Sequence, residues 1–186
     1  MNVRDRILES AYELFSTQGV KGTGISAIIA HAGVARMSLY QHFRSKDDLV
    51  IEFLKLRERR FNTRWQDRIR NSKISPENRL LMVFDQLTEW FNTSDFEGSS
   101  FIKVLMEEKS DGPVYRAAVR HIENIKLFVH ELADAAKICD AAAFADLWTL
   151  LIHGAIVEAQ AGNRDSARLA KMAGAVLLKN WPPPSG

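Results

Sequence analysis

The sequence predicts an all-α chain of nine helices, with a small three-helix headpiece at the N-terminus and a larger helical body behind it. Three observations lead there. Apolar residues recur at helical spacing along almost the whole chain, without a convincing run of alternating β-branched residues. Hydroxyl caps, first-turn prolines and terminating glycines punctuate the pattern where helices should start and stop. The basic N-terminal stretch holds two short helical patterns separated by a glycine turn.

Taken in order, a first helix runs from about Val3 to Gln18, with Ile7, Leu8, Ala11, Leu14 and Phe15 on one stripe and Gly19 as its stop. Short helices follow at about 25–31 and 35–42, around Gly33 and Val34. Ser45 with Asp47 and Asp48 starts a long helix to about Asn71. Ser75-Pro76-Glu77 opens the next, to about Asn92. After a loop containing Gly98, a shorter helix spans Ser100 to Lys109 and stops at Asp111-Gly112-Pro113. The remaining helices cover about 114–137, 141–161 and 164–180, and the prolines after Trp181 cannot continue the last one. The expected organisation is a headpiece at 1–48, a body at 49–181 and a tail at 182–186.

The 186 residues are 46% hydrophobic and 26% charged, enough for a real core and a soluble surface. The single cysteine, Cys139, excludes a disulfide framework and suits a reducing compartment. The opening residues lead into an amphipathic segment rather than the apolar core of a signal peptide. The longest uncharged apolar run, Leu147 to Val157, reads as a buried helix because it is too short to span a bilayer. The expected location is the cytoplasm, with no membrane partner. Residues 1–73 carry 14 Lys and Arg against 8 Asp and Glu, so a basic front is expected to meet a polyanion.

Catalysis finds no support. The chain has no glycine-rich phosphate loop, no GxSxG elbow and no HExxH, and its five histidines lack metal-ligand spacing. No cofactor or metal is expected.

The helical pair at 25–42 reads as a helix-turn-helix. Ile25, Ile28, Ile29, Val34, Leu39 and Phe43 are spaced to face the first helix, and Gly33 supplies the turn's backbone freedom. At about 100° per residue, an inward Leu39 places Ala35 and Phe43 near its own face and sends Met37 and Gln41 outward, flanked by Ser38 and Tyr40. Gln41 suits adenine, Ser38 several bases, and Met37 a thymine methyl. Arg36 lies nearer the core by angle, yet its length reaches a guanine or a phosphate. Tyr40, His42 and Lys46 suit phosphates, which set register without reading sequence.

The stretch Ile7 to Gly19, with Ala32-Gly33-Val34, Leu39-Tyr40-Gln41-His42-Phe43 and Ser45-Lys46-Asp47-Asp48-Leu49, strongly resembles the TetR family of bacterial regulators. Three positions depart from the family pattern. Gly24 and Ala35 stand where caps with polar side chains are usual, and Met37 where a small residue is common. The resemblance implies a dimer that binds a palindromic operator in double-stranded DNA, most often as a repressor released by a small effector. A regulator without an effector, and an activator, remain alternatives.

In the body, the resemblance implies a ligand pocket and a dimer interface. The aromatic content of the fifth to eighth helices suits an apolar or aromatic effector. Trp90, Phe101, Leu105, Phe128 and Trp148 are its candidate contacts, although apolar residues at helical spacing are ordinarily core. The last two helices are apolar around much of their circumference and rich in small residues. Leu151, Ala155, Met172 and Val176 are the expected interface between two copies. The basic run Lys55, Arg57, Arg59, Arg60, Arg64, Arg68 and Arg70 reads either as a solvated face or as a DNA contact.

Overall fold

The computed structural model describes residues 2–94, 96–108 and 111–182, without the side chains of 61–63. Among the described residues it contains nine helices and no strand: α1 (Val3–Gly22), α2 (Ile25–Ala32), α3 (Arg36–His42), α4 (Lys46–Arg70), α5 (Pro76–Phe91), α6 (Ser100–Glu107), α7 (Pro113–Ala135), α8 (Ala141–Gln160) and α9 (Ser166–Asn180). The expected end of the sixth helix at Lys109 and all but Pro182 of the tail lie outside the described residues.

Local chemistry sets most boundaries. Ser45 Oγ accepts from the Asp48 N–H at 3.1 Å and starts α4. Ser75 Oγ accepts from Asn78 N, with Pro76 in the first position of α5. The first helix does not stop at Gly19. Gly19 adopts φ 77°, ψ 164°, and one further turn follows to Gly22. The buried Thr23 hydroxyl closes this end, reaching the carbonyls of Gly19 at 2.8 Å and Leu14 at 3.2 Å.

Two compact units divide the chain, 1–61 with 99–121 and 62–98 with 122–186. The first is larger than a headpiece ending at residue 48, for a packing reason. Ile7, Ala11 and Phe15 of α1, Ile28 of α2, and Leu39 with Phe43 share one core with Phe53 and Leu54 of α4. Phe101 and Val104 of α6 and Val114 and Ala118 of α7 complete it. Burying each large side chain contributes about 1.5–3 kcal/mol, so α6 and the start of α7 cover apolar surface that α2 and α3 are too short to reach. Phe53 meets both Tyr12 and Phe15 edge-on, at 5.5 and 5.3 Å.

In the second unit, α8 and α9 form a hairpin packed on α5. Gly174 of α9 lies directly against the rings of Trp148 and Phe84, and Ser166 Oγ donates to the Ala155 carbonyl at 2.7 Å. Arg70 grips Glu131 with two hydrogen bonds of 3.0 and 2.9 Å, and Lys171 pairs with Asp85. Among the described helices α8 alone is long and apolar enough to cross a bilayer. Its Trp148, Ile152 and Ile156 are nonetheless buried within the unit.

Candidate nucleic-acid interface

The turn between α2 and α3 is built on Gly33, whose φ of 61° and ψ of 43° lie in the left-handed region. There its N–H reaches back to Ala30 O, and the N–H of Val34 to Ile29 O, both at 3.3 Å. The chain then enters α3 at Ala35, which offers no side-chain cap, just as α2 starts from an uncapped Gly24.

The faces of α3 divide as the wheel predicts. Leu39 and Phe43 are 0% and 2% exposed, whereas Met37 is 71% exposed. Tyr40, Gln41 and His42 also face solvent, and Ser38 is half-buried at the margin. Ala35 and Arg36 differ from expectation. Both are exposed, because α3 only reaches the core one turn later, at Leu39. The Arg36 guanidinium lies 6.0 Å from the centre of the Tyr40 ring. Lys46 is half-buried in the first turn of α4. Five of the seven candidate DNA residues thus share one exposed surface of the first unit, with Ser38 and Lys46 at its edge.

One basic residue escaped the sequence reading. Arg44 is exposed in the short loop between α3 and α4 and lines a shallow groove of about 410 Å³ with Arg4, His42, Phe43, Asp48, Ile51, Glu52 and Lys55. A cation directly after the outward-facing residues of α3 was the available signal. In this groove Arg4 lies over the Phe43 ring at 5.2 Å and pairs with Glu52 at 2.7 Å. Hydrogen bonds from Lys55 and Arg4 hold the Glu52 carboxyl below the ordinary carboxylate range, against a weaker opposing effect of burial.

The basic run of α4 is largely committed to intramolecular partners. Within the first unit Arg60 makes two bonds to Glu9, at 3.1 and 2.6 Å, and stacks over Tyr12 at 4.5 Å, while Arg57 donates to Ser16 Oγ at 3.0 Å. Within the second, Arg68 pairs with Glu89 and Arg70 with Glu131. The run therefore clamps α4 to its neighbours within each unit.

The candidate effector residues are divided between the two units. Phe101 and Leu105 belong to the first unit, where Phe101 is buried against His121 and Leu105 packs against the core. Trp90, Phe128 and Trp148 belong to the second and sit in separate aromatic groups, with Phe91 and Phe96, with Trp65, and with Phe84 and Phe144. A cleft of about 490 Å³ in the second unit is lined instead by Arg68, Ile74, Asn78, Leu81, Met82, Asp85, Gln86, Glu89 and Lys171.

Of the four expected interface residues, Met172 and Val176 are exposed, Val176 by 64%, and Leu151 is half-buried. Ala155 requires correction. It is 4% exposed and inside the α8–α9 hairpin, because α8 turns its 148–152–155–159 side inward. The outer side of α8 carries Leu147, Leu150 and Val157, which with Leu169, Met172 and Val176 of α9 leave a row of exposed apolar side chains.

Residues 7–53 match the family model described as bacterial regulatory proteins, tetR family. The chain is 33% identical over 66 residues to the HTH-type transcriptional regulator QacR of Staphylococcus aureus, an overlap covering 36% of this chain and 35% of that protein. The chain thus spans about a third of that relative's length. A solved tetR-type regulator from Streptomyces avermitilis is 27% identical with a TM-score of 0.86, covering 97% of this chain and 98% of that one. CifR, a TetR family regulator solved with a 26-base-pair operator duplex, shares the fold at 18% identity and a TM-score of 0.77, over 96% of this chain and 97% of its own.

Proposed function

The chain belongs to the TetR family of bacterial regulatory proteins, and on that premise we propose that it is a DNA-binding transcription regulator rather than an enzyme. In this reading it is a dimeric repressor that holds a palindromic operator and leaves it when a small apolar or aromatic ligand binds the helical body. The observation that carries the reading is the division of α3, with Leu39 and Phe43 sunk in the core and Met37, Tyr40 and Gln41 turned to solvent. Gln41, Ser38, Met37 and Arg36 then meet base edges in the major groove, and Tyr40, His42, Lys46 and Arg44 meet phosphates.

The exposed apolar row on α8 and α9 supports pairing of two copies, since a soluble chain rarely leaves so many large apolar side chains together in water. Two recognition helices about 34 Å apart then read the two halves of a palindrome. Because α4 contributes to both compact units, a ligand that displaces α6 or α7 would tilt it and spoil that spacing.

A second reading is a regulator without a small-molecule effector, in which Phe101, Phe128 and Trp148, each buried against a neighbouring ring, serve only as core.

The test is selection of genomic duplexes by the full chain, followed by gel shifts and sedimentation on the enriched fragments. Enrichment of an inverted repeat bound by two copies is the expected result. Enrichment of no sequence, or binding of a single copy to an asymmetric site, overturns the reading. Release from the enriched duplex by members of a panel of aromatic and aliphatic compounds separates the effector-dependent version from the effector-free one.

A further inference from the structure

Arg6 lies in the second turn of α1, 26 residues before the end of α2, yet its guanidinium is spent on the turn between α2 and α3. Its Nη2 donates to the carbonyl of Ala32 at 2.6 Å and to that of Gly33 at 3.1 Å. The last carbonyls of a helix have no N–H of their own helix to accept from, and they carry the negative end of its dipole. At this turn the N–H groups of Gly33 and Val34 go back to Ala30 and Ile29, so the Ala32 and Gly33 carbonyls are left for another donor. A guanidinium is suited to that place, being always charged and presenting its donors in a rigid plane.

The fit is reciprocal. A Cβ added at Gly33 would sit 3.2 Å from Arg6 Nη2, tighter than ordinary contact. Gly33 therefore provides both the left-handed turn and the space through which α1 reaches it.

The consequence falls on α3. This helix has seven residues and no side-chain cap, and its apolar anchors, Leu39 and Phe43, lie on one line along its inner face. Rotation about that line depends on what holds the chain just ahead of the helix, where Val34 packs against the core. The Arg6 clamp adds a further hold there, on the carbonyls of Ala32 and Gly33, four and three residues before Arg36, the first residue of α3. We propose that Arg6 is a positioning residue for the recognition helix. It sets the angle at which Met37 and Gln41 meet base edges, and it touches no DNA itself. The proposal rests on the reading of α3 as the recognition helix.

The test uses the full chain, duplexes selected by that chain from a randomised library, and calf-thymus DNA as the unselected competitor. Three quantities are read for each variant: the ratio of affinities for selected and unselected duplex, the dependence of affinity on salt, and the thermal midpoint. Arg6→Met should lower the ratio by about tenfold, the scale of losing one good base contact, with an unchanged salt slope, and Arg6→Lys should restore part of it. Lys46→Ala, a phosphate contact, should behave in the opposite way, keeping the ratio and reducing the salt slope by about one.

A reduced slope with an intact ratio in Arg6→Met would make Arg6 a phosphate contact and overturn the proposal, as would a variant indistinguishable from the parent. Gln41→Ala is run alongside. If it shifts base preference and Arg6→Met does not, the positioning role falls while the reading of α3 stands. If Gln41→Ala also leaves preference unchanged, both fall. Should the melt show that Arg6→Met is unfolded, Arg6→Gln and Arg6→Lys carry the same comparison.

Discussion

The imidazole of His121 lies flat on the ring of Phe101, with centroids 3.3 Å apart and planes within 8°. It is 5% exposed, and its Nδ1 is 3.4 Å from Glu58 Oε1. Burial pushes the imidazole below its ordinary value of 6.5 and outweighs the opposing pull of Glu58, while Arg57 lowers it further. Above that pH both folded and unfolded chains hold a neutral imidazole, and its protonation has no effect on stability. As pH falls through 6.5, the unfolded chain takes up a proton that the folded chain resists, so stability declines toward the lower folded value. Urea titrations at pH 7.5, 6.5 and 5.5 should show this decline, and His121→Phe should remove part of it. A decline of equal size in the variant would assign the effect to other groups.

Gly174→Ala should destabilise the second unit although alanine is the better helix former. The added Cβ would lie 2.9 Å from Trp148 Cη2 and 3.0 Å from Phe84 Cε2, both on fully buried rings. Overpacking of this kind costs about 1–3 kcal/mol, against a propensity gain of about 1 kcal/mol. The net loss expected is about 1 kcal/mol, read from denaturant midpoints at constant slope. A gain would mean that the rings repack freely.

Gln41→Ala should leave stability unchanged, because the side chain is exposed, and should relax base preference at a single position of each half-site. The expected cost there is about 1–3 kcal/mol, measured by repeating the duplex selection. An identical selected sequence would show that α3 meets DNA with another face.

Leu150→Glu combined with Val176→Glu should yield a folded monomer in sedimentation, since both residues are more than 60% exposed in the single chain. Ala155→Glu should instead unfold the hairpin, because it buries an unpaired charge. A double variant that still sediments as a dimer would place the interface elsewhere.

What could be read in advance was local. Ser45, Ser75 and Gly33 mark boundaries through bonds to residues three or four positions away, Pro76 does so through its fixed φ in the first turn of α5, and α3 alternates inner and outer side chains sharply enough for a wheel to orient it. α8 resisted the same treatment. It is apolar on nearly every side, so periodicity could not tell inward Ala155 from outward Leu150. Contacts between distant segments were equally hidden. Nothing near Arg6 announces Ala32, and nothing near Arg60 announces Glu9. The extent of the first unit depended on Phe101 and Val104 joining a core begun almost a hundred residues earlier.

The pairing of Arg60, Arg68 and Arg70 with glutamates bears on how such a protein would search a chromosome. Indiscriminate adhesion to duplexes grows with the number of cations free to displace the ions condensed on the phosphates. Here three of the front's 14 cations are already answered at home. In the proposed function, encounters with irrelevant DNA should accordingly be briefer, leaving edge recognition by α3 to decide where the molecule lingers.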